Sequence, residues 1–274
     1  MDIDRPIFIV GPHRSGTTLL YEVLGEHPAL GYFNRQDKRW PGSPRLAAWL
    51  TRVTGHDQPM ETQPVWDRFK QGGGDTMTAA DATPEVTDWF RGRVATTLRL
   101  RGVERFVAKY PRLSLRLDWL DAIFPDALFV HVQRDWRAVV NSNVNRQAKR
   151  RKRGGGWFGV HIPGWEELGE LPMDVVATRQ FAFVTELLER AAERYGDRFV
   201  TLRYEALCSD PLVELRSLLA AAGVPWSEEF ERSVPTDLRS ANFKWREQLG
   251  EERVEELRKE ARALLSRHED QTEA

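Results

Sequence analysis

The segment IFIVGPHRSGTT, residues 7–18, constrains the fold more than any other part of the sequence. Ile7 to Val10 is a continuous apolar run, typical of a parallel strand that is buried on both faces, and Gly11-Pro12 ends it. The following loop has the G-x-x-x-x-G spacing of a phosphate-binding loop and leads into an apolar-periodic helix over Thr17 to Glu26. This order of elements predicts an α/β fold with an anion site at the start of the helix.

The same strand-then-helix order recurs three times along the chain. Strands are predicted over 105–109, 127–133 and 198–204, and helices over about 113–124, 136–149 and 211–222. This repetition predicts a P-loop-like, three-layer α/β/α fold with a central parallel sheet. We expect one domain over 1–274, with an irregular segment at 34–83, a functional loop or lid at 151–172, a charged helix over about 247–266 and a frayed tail at 267–274.

The composition excludes several classes of protein. Forty basic and 41 acidic residues give a formal net charge of -1, so no overall positive field favours nucleic acid or an anionic membrane. The single cysteine, Cys208, excludes an intramolecular disulfide and a cysteine-rich metal site. No apolar run approaches the ~20 residues that span a bilayer, and there is no signal-peptide pattern. We expect a cytoplasmic protein without a transmembrane segment or a nucleic-acid partner, and its oligomeric state is open, a homodimer included.

The glycine-bounded loop lacks the lysine of a triphosphate-binding loop. Thr17 stands where that lysine would reach the β and γ phosphates. Backbone amides at the start of a helix still bind an anion, and Ser15, Thr17, Thr18 and Arg14 add hydroxyl donors and a fixed positive charge. The loop is therefore expected to bind a smaller phosphate group, and a tight turn that binds nothing is the alternative.

A second candidate anion site lies in HVQRDWRAVVNSNVNR, residues 131–146. Arg134 falls at the carboxyl end of a predicted strand, where open α/β sheets bind ligands. Ser142 and Arg146 are four residues apart on the following helix, so they share a face. We expect the two guanidinium groups and the hydroxyl to converge on a further phosphate. The alternative is an exposed helix whose arginines are only solvated.

These two motifs resemble those of the sulfotransferase family that uses 3′-phosphoadenosine 5′-phosphosulfate (PAPS). GPHRSGTTLL resembles the 5′-phosphosulfate loop of that family, and RDWRAVVNS resembles its 3′-phosphate motif. The segments KYPRLSLRL, LRYEALCSDP and SANFKWREQL are also similar to family stretches, so the resemblance covers most of the chain. It points to the bacterial RSGTT type, similar to the glycolipid and tyrosylprotein members.

The resemblance implies a role for most of the candidate residues. The amides of Ser15, Gly16, Thr17 and Thr18 would hold the 5′ phosphate, and Arg14 would stabilise the charge that develops on the leaving group. The 3′ phosphate and the rest of the nucleotide would be held by Arg134, Ser142, Arg146, Tyr204, Asn242 and Lys244. Lys109 matches a lysine near the sulfuryl group, or else only closes the end of its strand. PAPS would be the sulfuryl donor, and no metal is needed.

The general base of the family does not carry over to this sequence. The tyrosylprotein branch has a glutamate shortly after the first helix, where Asn34 and Arg35 stand here, and AKYPRLS lacks the histidine of the cytosolic branch. Asp37 is the nearest carboxylate and is assigned as the base. Further alternatives are Asp81, Glu85 and His13. Each of the four candidates, taken alone, fits a helix cap or a solvated surface group better than a catalyst.

The expected reaction is in-line transfer of the sulfuryl group of PAPS to a hydroxyl or amine, releasing adenosine 3′,5′-bisphosphate. The acceptor is expected to be a carbohydrate, a lipid such as a glycolipid, or another small molecule. Ten tryptophans either line a groove for it or belong to satellite cores, among them Trp40, Trp49, Trp66, Trp157 and Trp165. The basic run at 149–153 either steers an acidic acceptor or is a solvated helix end. A P-loop kinase-like phosphotransferase and a non-catalytic nucleotide-binding module are the alternatives.

Overall fold

The fold is built on a five-stranded, wholly parallel sheet. The computed structural model describes residues 3–157, 159–240 and 242–272, with 263–272 as backbone only. The strands are β1 (Ile7–Val10), β2 (Leu30–Gly31), β3 (Arg105–Lys109), β4 (Leu128–Gln133) and β5 (Phe199–Arg203). Their order is β2-β3-β1-β4-β5. The predicted α/β fold with a central parallel sheet is confirmed, and the two-residue edge strand β2 was not predicted.

Helices connect the strands and flank the sheet. They are α1 (Thr17–Gly25), α2 (Arg35–Arg39), α3 (Pro44–Thr54), α4 (Gln63–Trp66), α5 (Pro84–Arg101), α6 (Leu117–Ile123), α7 (Trp136–Lys152), α8 (Met173–Tyr195), α9 (Tyr204–Ser209), α10 (Pro211–Ala222), α11 (Glu228–Ser233), α12 (Trp245–Gln248) and α13 (Glu251–Thr272). Short 3₁₀ helices include Pro111–Leu115 and Asn242–Lys244. In the described part of the chain, no helix has the length and apolarity to cross a bilayer.

The central strand β1 is buried on both faces, as its apolar run predicts. Phe8 and Val10 belong to one core with residues of α5, α6 and α8, whereas Ile7 and Ile9 belong to a second core with residues of α1 and α10. Successive side chains of a strand point to opposite faces, so each of the four residues fills one of the two cores. The sheet therefore separates two helical layers.

The segment at 34–83 consists of short helices and loops. A fully buried arginine, Arg116, ties it to the rest of the molecule by donating to the carbonyl oxygens of Asp75 (2.8 Å) and Trp66 (3.0 Å) and to the carboxylate of Asp67 (2.8 Å). Trp66 is buried in the core, whereas Trp40 and Trp49 are 40% and 58% exposed. The tryptophans thus divide between core and surface.

The ends of the chain depart from the predicted bounds. The last helix, α13, continues to Thr272 instead of ending near 266. Residues 273–274, the end of the predicted frayed tail, lie outside the described residues, as does residue 158 in the segment 151–172. That segment otherwise holds the end of α7, turns and a 3₁₀ helix at Glu167–Glu170.

Candidate functional site

The loop between β1 and α1 has an unusual backbone conformation. Gly11, Arg14 and Gly16 all have positive φ, at 150°, 73° and 106°. A Cβ atom on Gly16 would lie 2.4 Å from Cδ2 of Tyr204, so no larger residue fits. The loop is anchored on the neighbouring strand connection, because the amide of Gly11 donates to Oγ of Ser114 (2.9 Å) and that hydroxyl donates back to the carbonyl of Gly11 (3.1 Å).

The loop presents unsatisfied donors at the start of α1. The amides of Gly16, Thr17 and Thr18 have no acceptor in the described part of the chain, and no side chain caps the helix. Oγ of Ser15 is buried and has no partner there either. The amide of Ser15 was expected to hold the 5′ phosphate, but in the structure it closes the loop by donating to the carbonyl oxygen of Pro12 (3.1 Å). The remaining donors suit an anion, which would also benefit from the helix dipole.

Three arginines lie around this loop. Nε of Arg14 donates to Oγ of Ser142 (3.1 Å), and Arg134 donates to the carbonyl oxygen of Arg14 (2.9 Å). Arg146 lines the same cavity of about 430 Å³. Among the described residues, none of the three forms an ion pair with a carboxylate. Burial and the nearby Arg146 and Arg134 lower the pKa of Arg14, and the carboxylate of Glu61 opposes this shift.

The guanidinium group of Arg134 is held from two sides. Its Nε donates to Oδ1 of Asn242 (2.9 Å), and its Cζ lies 4.2 Å from the centre of the Tyr204 ring. Asn242 in turn donates to Glu205. The structure therefore places Tyr204 and Asn242 beside Arg134. Lys244 is exposed and does not line the cavity.

Lys109 lies at the carboxyl end of β3 and is only 3% exposed. Its Nζ donates to Oγ1 of Thr18 (2.9 Å) and forms an ion pair with Glu61. Burial lowers the pKa of Lys109, and the carboxylate of Glu61 opposes this shift. Glu61 was not among the predicted site residues, because this residue lies in the aperiodic segment 34–83 and belongs to no recognisable motif. Only the fold brings it to the end of β3.

The structure places Asp37, the predicted base, in a different cluster. Its carboxylate forms a buried ion pair with Arg93 and accepts from the amide of Asn34 (2.8 Å) in a capping box at the start of α2. Asp37 is 6% exposed and does not line the cavity of Arg14. Its assignment as the base is corrected on this ground: the carboxylate already neutralises a buried cation and caps a helix.

The alternative bases fare no better. Asp81 caps a 3₁₀ helix by accepting from Thr78, and Glu85 is exposed in the first turn of α5. His13 does line the cavity, but burial, Lys109, Arg112 and Arg14 lower its pKa to about 3. An imidazole with so low a pKa is a weak proton acceptor at neutral pH.

The parallel sheet, the uncapped loop and the arginine cluster define an α/β protein with a P-loop-like anion site. The profile described as "Sulfotransferase family" matches residues 6–228. The chain belongs to this family.

Curated relatives include the omega-hydroxy-beta-dihydromenaquinone-9 sulfotransferase Stf3 of Mycobacterium tuberculosis, 27% identical over 85% of this chain and 65% of the relative. The protein-tyrosine sulfotransferase 1 of Danio rerio is 27% identical over 82% of this chain and 55% of the relative. The chain thus spans less than two thirds of the length of these relatives.

Solved structures with the same fold include sulfotransferase STF9 from Mycobacterium avium, with a TM-score of 0.59, 18% identity and coverage of 85% of this chain and 67% of that one. Sulfotransferase STF1 from Mycobacterium tuberculosis has a TM-score of 0.54 and 19% identity, covering 90% of this chain and 76% of that one. At these identities the likeness concerns the fold alone.

Proposed function

We propose that this chain is a PAPS-dependent sulfotransferase that transfers a sulfuryl group to a hydroxyl, or an amine, of a carbohydrate, lipid or other small acceptor. The observation that carries the proposal is the convergence of Arg14, Arg134 and Arg146 on uncapped amides at the start of α1, with none of the three in an ion pair among the described residues. Such a cluster suits a ligand with two separate phosphate groups. We also propose that residues 1–274 form one sulfotransferase domain.

The residues present fit this donor. The amides of Gly16, Thr17 and Thr18, with the orphaned hydroxyl of Ser15, would hold the 5′ phosphate. The 3′ phosphate and the nucleotide would be held by Arg134, Ser142 and Arg146, with Tyr204 and Asn242 fixing Arg134 and Lys244 as an outer candidate. When bound, PAPS supplies the sulfuryl group and a phosphate leaving group. No metal ion is invoked.

Two cations would act on the charge that moves during transfer. Arg14 is held over the loop by Ser142 and would stabilise the developing charge on the leaving phosphate oxygen. Lys109 is fixed by Thr18, beside the same loop, and would neutralise the oxygens of the transferred group. Both side chains are positioned by hydrogen bonds within the protein, and fixed geometry of this kind favours in-line transfer.

Two observations bear on the acceptor. The names of the two curated relatives specify an omega-hydroxy quinone and a protein tyrosine, and both carry a hydroxyl group, which favours a hydroxyl over an amine here. The exposed basic run at 149–153 continues α7 directly beyond Arg146, and the described structure has no carboxylate paired with it. This run supports an acceptor with negative charge. The cytoplasmic location and the homodimer stay predictions.

Calorimetry tests the donor. We expect adenosine 3′,5′-bisphosphate to bind without a divalent cation and more tightly than ATP with Mg²⁺. Tight binding of ATP with Mg²⁺ alone would instead indicate the kinase-like phosphotransferase. Bisphosphate binding without turnover of radiolabelled PAPS over an acceptor panel would indicate the non-catalytic binding module.

Substitution of Arg14 tests the assigned role. Arg14→Ala should lower turnover by about 10²–10³-fold, as the loss of one donor to a developing charge does elsewhere. Binding of the bisphosphate should remain. Arg45→Ala is a matched control, since Arg45 is exposed on α3 and makes no contact with the site. Normal turnover by Arg14→Ala would disprove the role.

A further inference from the structure

We propose that Glu61 is the general base that accepts the proton of the acceptor hydroxyl. This inference rests on the proposed sulfotransferase function and adds a catalytic residue to it. The carboxylate reaches the site from the loop before α4, far along the chain from the positions where the sequence suggested a base. Its placement beside Lys109 and the loop at the start of α1 is the observation that carries the inference.

The two oxygens of the Glu61 carboxylate have different surroundings. Oε1 of Glu61 is held by Nζ of Lys109, which also donates to Thr18 of the anion loop. Oε2 has no partner among the described residues, and the side chain is 42% exposed. One oxygen is thus fixed, while the other has no partner there and belongs to a side chain that lines the cavity. This is the arrangement that a base needs, since it must be oriented and still reach the proton.

The backbone around Glu61 is ordered by its neighbours. The amide of Met60 donates to the carbonyl of Phe33 (3.0 Å), next to the sheet. Thr62 is fully buried, and its carbonyl accepts from the amides of Val65 and Trp66 at 2.9 and 3.2 Å. Glu61 is therefore held between two anchored residues, although it lies in an irregular segment.

Glu61 also has no competitor at this cavity. Among the described residues that line it, Glu61 is the one carboxylate, surrounded by Arg14, Lys109, Arg134 and Arg146. The neighbouring His13 is a weak acceptor because its pKa is lowered to about 3. Glu61 is thus the carboxylate that this cavity places within reach of an acceptor.

The proposed step balances as follows. The acceptor oxygen forms a bond to the sulfur of the sulfuryl group while the bond from that sulfur to the bridging phosphate oxygen breaks. The proton of the acceptor passes to Oε2 of Glu61, and the leaving bisphosphate takes the electron pair of the broken bond. Lys109, which pairs with Glu61, would also neutralise charge on the transferred group, and Glu61 would then release its proton to water.

The test uses Glu61→Gln and Glu61→Ala in the full chain, with Glu85→Gln as a control on an exposed carboxylate of α5. Release of bisphosphate from PAPS is followed with 2-naphthol, n-octyl glucoside and water as probe acceptors. Both Glu61 variants should lose about 10²–10⁴-fold in kcat, the usual contribution of a general base. Their bisphosphate Kd should change by less than about threefold. Sodium formate should restore part of the rate of Glu61→Ala, because a small carboxylate can occupy the vacated space.

The outcomes separate this inference from the proposed function. A wild-type chain that binds no bisphosphate and turns over no PAPS would overturn the proposed function together with the base. Wild-type turnover that persists within about threefold in Glu61→Gln would overturn the base alone. A lost rate that formate does not restore, accompanied by weaker bisphosphate binding, would show that Glu61 only positions Lys109 and would equally overturn the base.

Discussion

Asp37 forms a buried ion pair with Arg93, whereas Glu61 lines the cavity of Arg14. Substitution of Asp37 therefore tests whether its role is structural or catalytic. The side chain of Arg93 is 3% exposed and that of Asp37 is 9% exposed. Asp37→Asn would leave the buried guanidinium without its counter-charge, while the amide can still cap α2. Breaking a buried pair in this way costs about 3–5 kcal/mol, against a typical free energy of unfolding of about 5–15 kcal/mol.

Urea unfolding followed by tryptophan fluorescence measures this cost. With a slope of about 3 kcal/mol per molar urea, the midpoint of Asp37→Asn should fall by about 1–1.7 M. The double variant Asp37→Asn/Arg93→Met should recover part of the loss, because it leaves no unpaired charge. Bisphosphate binding and the kcat of the folded fraction should stay within about twofold of the wild type.

The opposite pattern would refute the reasoning. If Asp37→Asn left the urea midpoint unchanged and lowered kcat about 10²-fold, the carboxylate would be catalytic and Glu61 would lose its assignment. If the double variant were no more stable than the single one, the unpaired guanidinium would not be the source of the cost.

Two further predictions concern the loop and the pH dependence. Gly16→Ala should raise the bisphosphate Kd, measured by calorimetry, at least about tenfold, because a Cβ would meet Tyr204 and φ is 106°. Gly92→Ala is the control and should leave Kd unchanged, since the space around Gly92 is open. Equal Kd values for the two variants would contradict the steric argument. Burial lowers the pKa of His131 to about 4, so the unfolded chain binds its proton first as the pH falls below about 6.5. The titration of His131 should therefore lower the free energy of unfolding by up to about 1.4 kcal/mol per pH unit from about 6.5 towards 4, and His131→Gln should show a shallower slope in urea midpoints; an unchanged slope would contradict this prediction.

The sequence predicted the elements whose pattern is local. The four longer strands and the helices α1, α7 and α10 follow from apolar runs, glycine and proline punctuation and helical spacing, and they agree with the structure to within a few residues. The proximity of Arg14 and Arg134 also agrees with the sequence, since both follow the carboxyl ends of neighbouring parallel strands.

The remaining part of the site depended on long-range packing. Glu61 meets Lys109, 48 residues away, through a loop whose course is set by the bond from Met60 to Phe33. Asp37 lies close in sequence to the expected position of a base, but its carboxylate forms an ion pair with Arg93 on α5. The hydrophobic periodicity of a sequence predicts which residues share a face of a strand or helix. It does not predict which distant cation a carboxylate will contact.

The position of β1 in the middle of the sheet also affects how the chain is made. Its partners are β3, in which Val107 pairs with Ile7, and β4, in which Leu128 pairs with the same residue. A ribosome must therefore deliver more than one hundred residues before the first strand can be enclosed on both edges, and such non-local pairing slows folding. Until β4 emerges, the run IFIV has an unpaired edge that favours association with other chains. A nascent chain that stalls before β4 is thus the form of this protein most in need of a chaperone.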